Sequence, residues 1–301
     1  MTEDVNNKRN RYLGKAVSGR TRVVGVIAFP VHHSLSPAMH NAAFRELGLD
    51  YIYVPFNVHP DNLEDAAKGI RALGIVGVNV TIPHKESVIA YLDWVSHEAE
   101  QIHSVNTIHN IDGELRGYST DGAGFVESLK AVGRSPDGLR AVLLGAGGSA
   151  RAIAHALVSG GSEVVIANRT VSRGEELANA LNAIFGAFRA KAVPLESDAV
   201  REAIAAADLL VNCTSVGMYP RSEEQPIPAE WLHDRLFVYD LIYNPMETRL
   251  LKAAKEVGCP CMNGVKMLVY QGALSFRMWT GVEAPTEVME RAVISGLQDM
   301  L

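Results

Sequence analysis

Two groups of residues in this sequence have types and spacings suited to chemistry. The first is Ala141-Val-Leu-Leu-Gly-Ala-Gly-Gly-Ser-Ala-Arg151, followed by the helical pattern Ala152-Ile-Ala-His-Ala-Leu157. It reads as strand, turn and helix carrying G-x-G-x-x-(G/A), with Gly145, Gly147 and Ala150 at the three positions. Gly145 permits a tight turn, Gly147 lets the backbone approach a pyrophosphate, and Ala150 lets helix and strand pack closely. The helix start then offers free N–H groups and a positive dipole end to phosphates. The second group is polar and lies at strand ends, where open α/β sheets bind ligands. Ser34 and Ser36 close a first apolar strand, Asn79 and Thr81 lie in a third, and Lys85 follows it. Asn106 lies in a later strand and Asp121 follows a hairpin. A lysine and an aspartate at the ends of different strands can form a proton-handling pair facing a nicotinamide. Each residue alone has a plainer use. Ser36 suits a helix cap, Asn79 can satisfy buried backbone, Asp121 can cap a helix near Gly124, and a lone lysine is usually solvated. His84 beside Lys85 reads as a hydrogen-bonded neighbour of a cap. The chemical reading rests on convergence.

The elements that must position these residues follow from periodicity. Arg22–Ala28 reads as a strand, and Ser36-Pro37 opens a helix with Met39, Ala43 and Leu47 at helical spacing, closed by Gly48. Tyr51–Val54 and Val76–Ile82 are strands around a helix at Asn62–Leu73. Helical pieces are expected near Ser87–Leu92 and Glu98–Ile102. Val105–His109 and Glu114–Tyr118 flank a hairpin turn. This pattern predicts a mainly parallel sheet with one antiparallel pair. From Gly122, strands at 141–144, 163–167, 191–194, 209–212, 236–240 and 259–262 alternate mostly with helices, the doubly wound count. Two further amphipathic helices, Val265–Thr280 and Thr286–Met300, are expected to return to the first region.

At 301 residues the chain has length for one or two domains. A net charge of -6 argues against a nucleic-acid partner. No apolar run approaches the ~20 residues that a membrane helix needs. Lys8, Arg9, Arg11, Lys15 and Arg20 make a basic leader without the apolar core of a secretory signal. Three cysteines, Cys213, Cys259 and Cys261, fit reduced thiols in the cytoplasm. Cys259-Pro-Cys261 lacks partners at zinc spacing and reads as buried strand residues, so no metal site is expected.

The cofactor is read at the second strand of the later region, Glu163-Val-Val-Ile-Ala167, which ends in Asn168-Arg-Thr170. An NAD enzyme would carry an acid there for the ribose 2′-hydroxyl. Instead Arg169 and Arg173 offer guanidinium forks suited to a 2′-phosphate, so NADP is favoured over NAD. Thr170 is expected to cap the next helix.

Gly25-Val-Ile-Ala-Phe-Pro-Val-His-His-Ser-Leu-Ser-Pro-Ala-Met-His-Asn-Ala-Ala-Phe44 resembles the opening signature of the shikimate dehydrogenase family. Asn79-Val-Thr-Ile-Pro-His-Lys85, Ser104-Val-Asn-Thr107 and Tyr118-Ser-Thr-Asp-Gly122 resemble its next motifs. Gly145-Ala-Gly-Gly-Ser-Ala-Arg151 and Asn168-Arg-Thr170 resemble its NADP site, and Asn212–Met218, Tyr243-Asn-Pro245 and Tyr270–Leu274 complete the set. The resemblance covers about residues 22–281. It implies reversible reduction of 3-dehydroshikimate to shikimate with NADPH, within aromatic amino-acid biosynthesis. On that basis Lys85 and Asp121 are the catalytic pair. Ser34, Ser36 and Tyr243 hold the carboxylate, and Thr81, Asn106 and Gln271 contact ring hydroxyls. Gly145, Ala146, Gly147, Gly148, Ser149, Ala150, Asn168, Arg169, Thr170, Arg173, Thr214 and Met267 serve the cofactor. Ala28-Phe29 and Ser119 depart from the family pattern without touching these roles.

The expected architecture is an N-terminal substrate-binding α/β domain, a Rossmann-type doubly wound nucleotide-binding domain, and C-terminal helices returning to the first. The expected division is 1–121 with 264–301, and 122–263 between them. The partner is a small-molecule substrate, and the chain is a monomer or homodimer. A quinate/shikimate dehydrogenase using NAD is the alternative, and an aminoshikimate dehydrogenase is a further one. A non-catalytic nucleotide sensor on this fold would be expected to replace Lys85 or Asp121, and both are present.

Overall fold

Strand β1 (Arg22–Ala28) is apolar almost throughout because both of its faces are covered. Val24, Val26 and Ala28 join one core, and Ile27 joins another on the opposite face. The structure is a computed structural model that describes residues 17–186 and 188–299. The basic leader falls, as far as residue 16, outside the described residues. β1 lies between β2 (Tyr51–Asn57) and β3 (Gly77–Val80), parallel to both. The crossovers are α1 (Ser36–Glu46) and α2 (Leu63–Ala72). β5 (Thr107–Ile111) runs against both β3 and β6 (Glu114–Tyr118). The sheet therefore holds two antiparallel pairs, not the one expected, since β5 enters between strands that point the other way. β4 (Trp94–Val95) adds an edge strand parallel to β6, and two residues are too few to show a period. The sheet order is β2-β1-β3-β5-β6-β4. Ser87–Tyr91 is a 3₁₀ helix, and α3 covers His97–Ile102.

After α4 (Asp121–Lys130) comes a second, wholly parallel sheet. Its strands are β7 (Arg140–Leu144), β8 (Glu163–Asn168), β9 (Ala190–Pro194), β10 (Leu209–Asn212), β11 (Phe237–Asp240) and β12 (Cys261–Met262). The order β12-β11-β10-β7-β8-β9 reverses direction at β7, which is the doubly wound arrangement. Helices α5 (Gly148–Ser159), α6 (Val171–Phe185), α7 (Asp198–Ala205) and α8 (Arg249–Val257) cover its two faces. Between β10 and β11 the described helix is a single 3₁₀ turn at Ala229–Trp231. Cys259 and Pro260 precede β12 instead of lying in it; Cys259 is buried and Cys261 half-buried. All three cysteines are free.

The chain then returns to the first sheet. α9 (Val265–Thr280) and α10 (Thr286–Gln298) place Val269, Phe276, Trp279, Met289, Val293 and Leu297 in one core with Val24, Met39 and Phe44. The Trp279 indole donates to the Ile108 carbonyl at 3.1 Å, tying α9 to β5. α9 crosses α4 at van der Waals distance: a Cβ on Gly124 would lie 2.6 Å from the Gln271 backbone nitrogen. This contact delivers Gln271 to the end of β5.

Candidate active site

Lys85 leaves the β3 end and Asp121 opens α4, so two different elements bring them together. Lys85 Nζ donates to Asp121 Oδ2 at 2.5 Å and lies 3.4 Å from Ser149 Oγ in the first turn of α5. Both side chains are largely buried, at 13% and 5% exposed. The approach of α5 is close: a Cβ on Gly148 would sit 2.8 Å from Ser104 Oγ and 3.2 Å from Lys85 Cδ. Asp121 does not cap its helix. Its second carboxylate oxygen accepts from the Asn106 amide at 2.7 Å. The Asn106 amide nitrogen also lies 3.2 Å from Gln271 Oε1. Asn106 Oδ1 accepts from the Thr120 backbone N–H at 2.8 Å and the Thr107 hydroxyl at 3.0 Å, which fixes which way the amide points.

A cavity of about 340 Å³ opens over this group. Ser34, Ser36, Thr81, Lys85, Asn106, Asp121, Tyr243 and Gln271 all line it, with Ser149 and Met267 on the side of the second sheet. Ser36 is itself the first residue of α1, with Leu35 at the cap position and no side-chain cap bond. Ser36 thus lines the cavity without capping the helix. Burial pushes the Tyr243 phenol above its ordinary value, so it stays protonated and able to donate. His84 is buried and its Nε2 donates to the Val58 carbonyl at 2.8 Å, a structural use. Burial also raises Glu98, with Asp121 adding to the effect.

The roles implied by the family resemblance leave out Asn79, Phe29, His33 and Met218, which also line the cavity. Asn79 carried a signal, being a polar residue inside an otherwise apolar strand. Its amide donates to Ser275 Oγ at 2.9 Å, and its oxygen accepts from the Tyr53 hydroxyl at 2.8 Å. Phe29, His33 and Met218 are loop residues, and no periodicity marks them.

The residues expected to serve the cofactor lie around the point where the second sheet reverses. Gly145 has φ +106°, open to glycine and strained for other residues. A Cβ there would meet the Thr214 methyl at 3.1 Å, across from β10. Ala146 and Ala150 are buried under the turn. Gly147 stands at the cap position of α5 without a side-chain cap bond, and a Cβ added to it would meet nothing within 4 Å. Free N–H groups beside open space fit a pyrophosphate. Asn168 donates to the Thr170 carbonyl at 2.8 Å and shapes the β8–α6 turn. Thr170 occupies the cap position of α6, yet its side chain makes no cap bond, contrary to expectation. Arg169 is exposed, and Arg173 lies 3.7 Å from Glu86 of the first sheet's loop. An exposed guanidinium at the β8 tip, with no carboxylate paired to it among the described residues, fits a 2′-phosphate. Cys213, next to Gly145, is half-buried, and loss of solvation pushes its thiol well above the ordinary range, so it is not a nucleophile. Among the described residues no cluster of histidine, cysteine or carboxylate side chains is arranged to hold a metal ion.

Three family models match the chain. Residues 26–108 match the shikimate dehydrogenase substrate binding domain, 128–231 match shikimate / quinate 5-dehydrogenase, and 264–294 match the shikimate 5′-dehydrogenase C-terminal domain. A shikimate dehydrogenase (NADP(+)) from Methanopyrus kandleri is 50% identical over 286 residues, covering 94% of this chain and 98% of its own. A crystal structure of a shikimate dehydrogenase in complex with NADP+ is 44% identical, with a TM-score of 0.90, over 95% of this chain and 99% of that one. The Thermus thermophilus shikimate 5-dehydrogenase in complex with NADP(H) and shikimate is 41% identical, with a TM-score of 0.83, over 91% and 99%.

Proposed function

Since the chain belongs to the shikimate dehydrogenase family, we propose that it carries out the reversible NADP-dependent reduction of 3-dehydroshikimate to shikimate, with the Lys85–Asp121 pair as its proton-handling centre. The observation that carries this reading is that Lys85, Asp121, Asn106 and Gln271 converge in one cavity beside the α5 N-terminus.

On this reading residues 1–121 with 264–301, the leader at 1–20 set apart, are the substrate-binding part and 122–263 the cofactor-binding part. NADPH, when bound, supplies the hydride that reduces the substrate carbonyl. Reduction places negative charge on the carbonyl oxygen. The Lys85 ammonium is positioned to hydrogen-bond that oxygen and give it a proton, and in the reverse direction the neutral amine accepts one. Asp121 accepts from Lys85, which holds the side-chain nitrogen in place at the cavity. The Asn106 amide is locked by its own oxygen's donors, so its N–H groups are directed at Asp121 and at the Thr120 and Gln271 side-chain oxygens. Ser34, Ser36 and Tyr243 offer three hydroxyl donors for the carboxylate, and Thr81 and Gln271 serve ring hydroxyls. A site that hydrogen-bonds each hydroxyl discriminates strongly against analogues lacking one. On the cofactor side, the turn at 145–150 takes the pyrophosphate, helped by Thr214 and Met267. Asn168 and Thr170 shape the end of β8, and Arg169 and Arg173 take the 2′-phosphate. The cytoplasm as compartment belongs to the same reading, supported by three free cysteines.

The test is a steady-state comparison of shikimate and quinate with NADP⁺ and NAD⁺. The expected result is the highest kcat/KM for shikimate with NADP⁺. A higher value for quinate with NAD⁺ would overturn the reading in favour of a quinate dehydrogenase.

A further inference from the structure

Glu86 stands immediately after Lys85, on the first sheet's side of the cleft. Arg173 stands in the first turn of α6, on the second sheet's side. Their side chains nevertheless meet, with Arg173 Nη2 3.7 Å from Glu86 Oε1, both partly exposed at 53% and 39%. Lys85, the cation next to Glu86 in sequence, is engaged by Asp121. Arg169, the other guanidinium at the β8–α6 turn, has no partner among the described residues. The two arginines assigned to one phosphate are thus in different states: one is open, and the other already faces a carboxylate from across the cleft.

We propose that Glu86 is a specificity-determining residue for the cofactor: by engaging Arg173 across the cleft it weakens binding of a ribose 2′-phosphate and narrows the preference for NADP over NAD. The inference rests on the assignment of Arg169 and Arg173 to that phosphate. A phosphate that takes Arg173 must share or displace Glu86, and the displaced carboxylate then faces a like charge. A cofactor with a free 2′-hydroxyl meets neither cost. Because the pair is exposed, its strength is modest and falls as salt screens it.

The test measures binding of adenosine 2′,5′-bisphosphate and 5′-AMP to the full chain at low salt, by calorimetry or displacement. These two nucleotides differ only by the 2′-phosphate. Glu86→Gln, with Glu86→Ala as a second variant, should lower the Kd of the bisphosphate by roughly two- to tenfold, the range of an exposed ion pair plus a like-charge contact, and leave 5′-AMP unchanged. The gain should shrink in an Arg173→Ala background, where only the like-charge contact remains, since the two residues act as a coupled pair. An unchanged or weaker bisphosphate affinity, an equal gain for both nucleotides, or a gain undiminished by Arg173→Ala would each overturn the role of Glu86. If neither Arg169→Ala nor Arg173→Ala changed the ratio of the two affinities, the 2′-phosphate site itself would be wrong. Loss of that ratio in the arginine variants with a silent Glu86→Gln would sink the Glu86 inference alone.

Discussion

Replacing Lys85 with methionine keeps the length of the side chain and removes its charge. Two separate consequences follow from the geometry. Proton transfer by one positioned group contributes ~10²–10⁴-fold, so kcat should fall by that order in both directions. The shikimate KM should change less, because the proton is given up only on the way to product. NADPH affinity should stay near wild type. The second consequence is a loss of stability. Asp121 is 5% exposed, and its ammonium partner sits 2.5 Å away. Without that partner the carboxylate retains the Asn106 amide at 2.7 Å. Breaking a buried pair by removing one member costs about 3–5 kcal/mol. The remaining amide donor and the adjoining cavity put this site near the lower end, about 3 kcal/mol. Asp121→Asn in the Lys85→Met background removes the stranded charge, so the double variant should be more stable than Lys85→Met by about 1–3 kcal/mol, the coupling typical of contacting residues. Urea unfolding followed by circular dichroism measures the cycle, and initial rates with shikimate and NADP⁺ measure the activity. Turnover of Lys85→Met within about threefold of wild type, far short of the general acid–base range, would refute the proton-transfer role. A double variant no more stable than the single one would refute the pairing.

Arg169→Ala should weaken NADPH by about ten- to a hundredfold, as expected for loss of a charge-assisted bond of roughly 1.5–3 kcal/mol, and NADH far less; equal losses measured by fluorescence titration would make Arg169 structural. His40 is fully buried, its ring stacked 4.4 Å from that of Tyr53, and burial lowers its pKa to about 3. The unfolded chain protonates this residue near its ordinary value of about 6.5, so the native state's advantage is present above that pH and is lost as pH falls toward 3. At ~1.4 kcal/mol per pH unit the total is roughly 4–5 kcal/mol. His40→Phe should flatten the fall in urea stability between about pH 6 and 4, set by the unfolded-state value, and an unchanged slope would show that other groups cause it. Gly124→Ala should cost about 1–3 kcal/mol by overpacking and raise the shikimate KM by displacing Gln271; wild-type stability and KM together would contradict the contact.

The second sheet was readable because its central strands β7, β10 and β11 are buried on both faces and appear as nearly plain apolar runs between helical patterns. The glycine turn was readable because backbone conformation dictates residue type there. Lys85, Asp121 and Asn106 were visible as polar residues at strand ends, and the spacing of the family's motifs supplied their grouping. Other features left weaker traces. β4 is two residues long and takes its strand character from pairing with β6. The reversal of β5 against β3 depends on the path of the chain through 81–106, where no single residue signals direction. Thr170 and Ser36 look like helix caps by type, but their side chains are used elsewhere or left free. The Glu86–Arg173 contact joins a loop beside the first sheet to a helix of the second, and no local pattern encodes it.

The core that encloses β1 is completed by α10, so Val24 and Met39 find Val293 and Leu297 only across almost the whole length of the chain. During synthesis the second sheet, with its strands between residues 140 and 262, has all of its parts before the first sheet has its cover. The earliest strands therefore emerge first and close last. Contacts of such sequence separation form slowly, since the intervening chain must be ordered before they reward it. Until α9 and α10 arrive, the apolar face of β1 and α1 stands open, a surface on which nascent chains associate wrongly or are held by chaperones. Stop codons within α10 should accordingly be far more damaging to yield than their distance from Lys85 suggests.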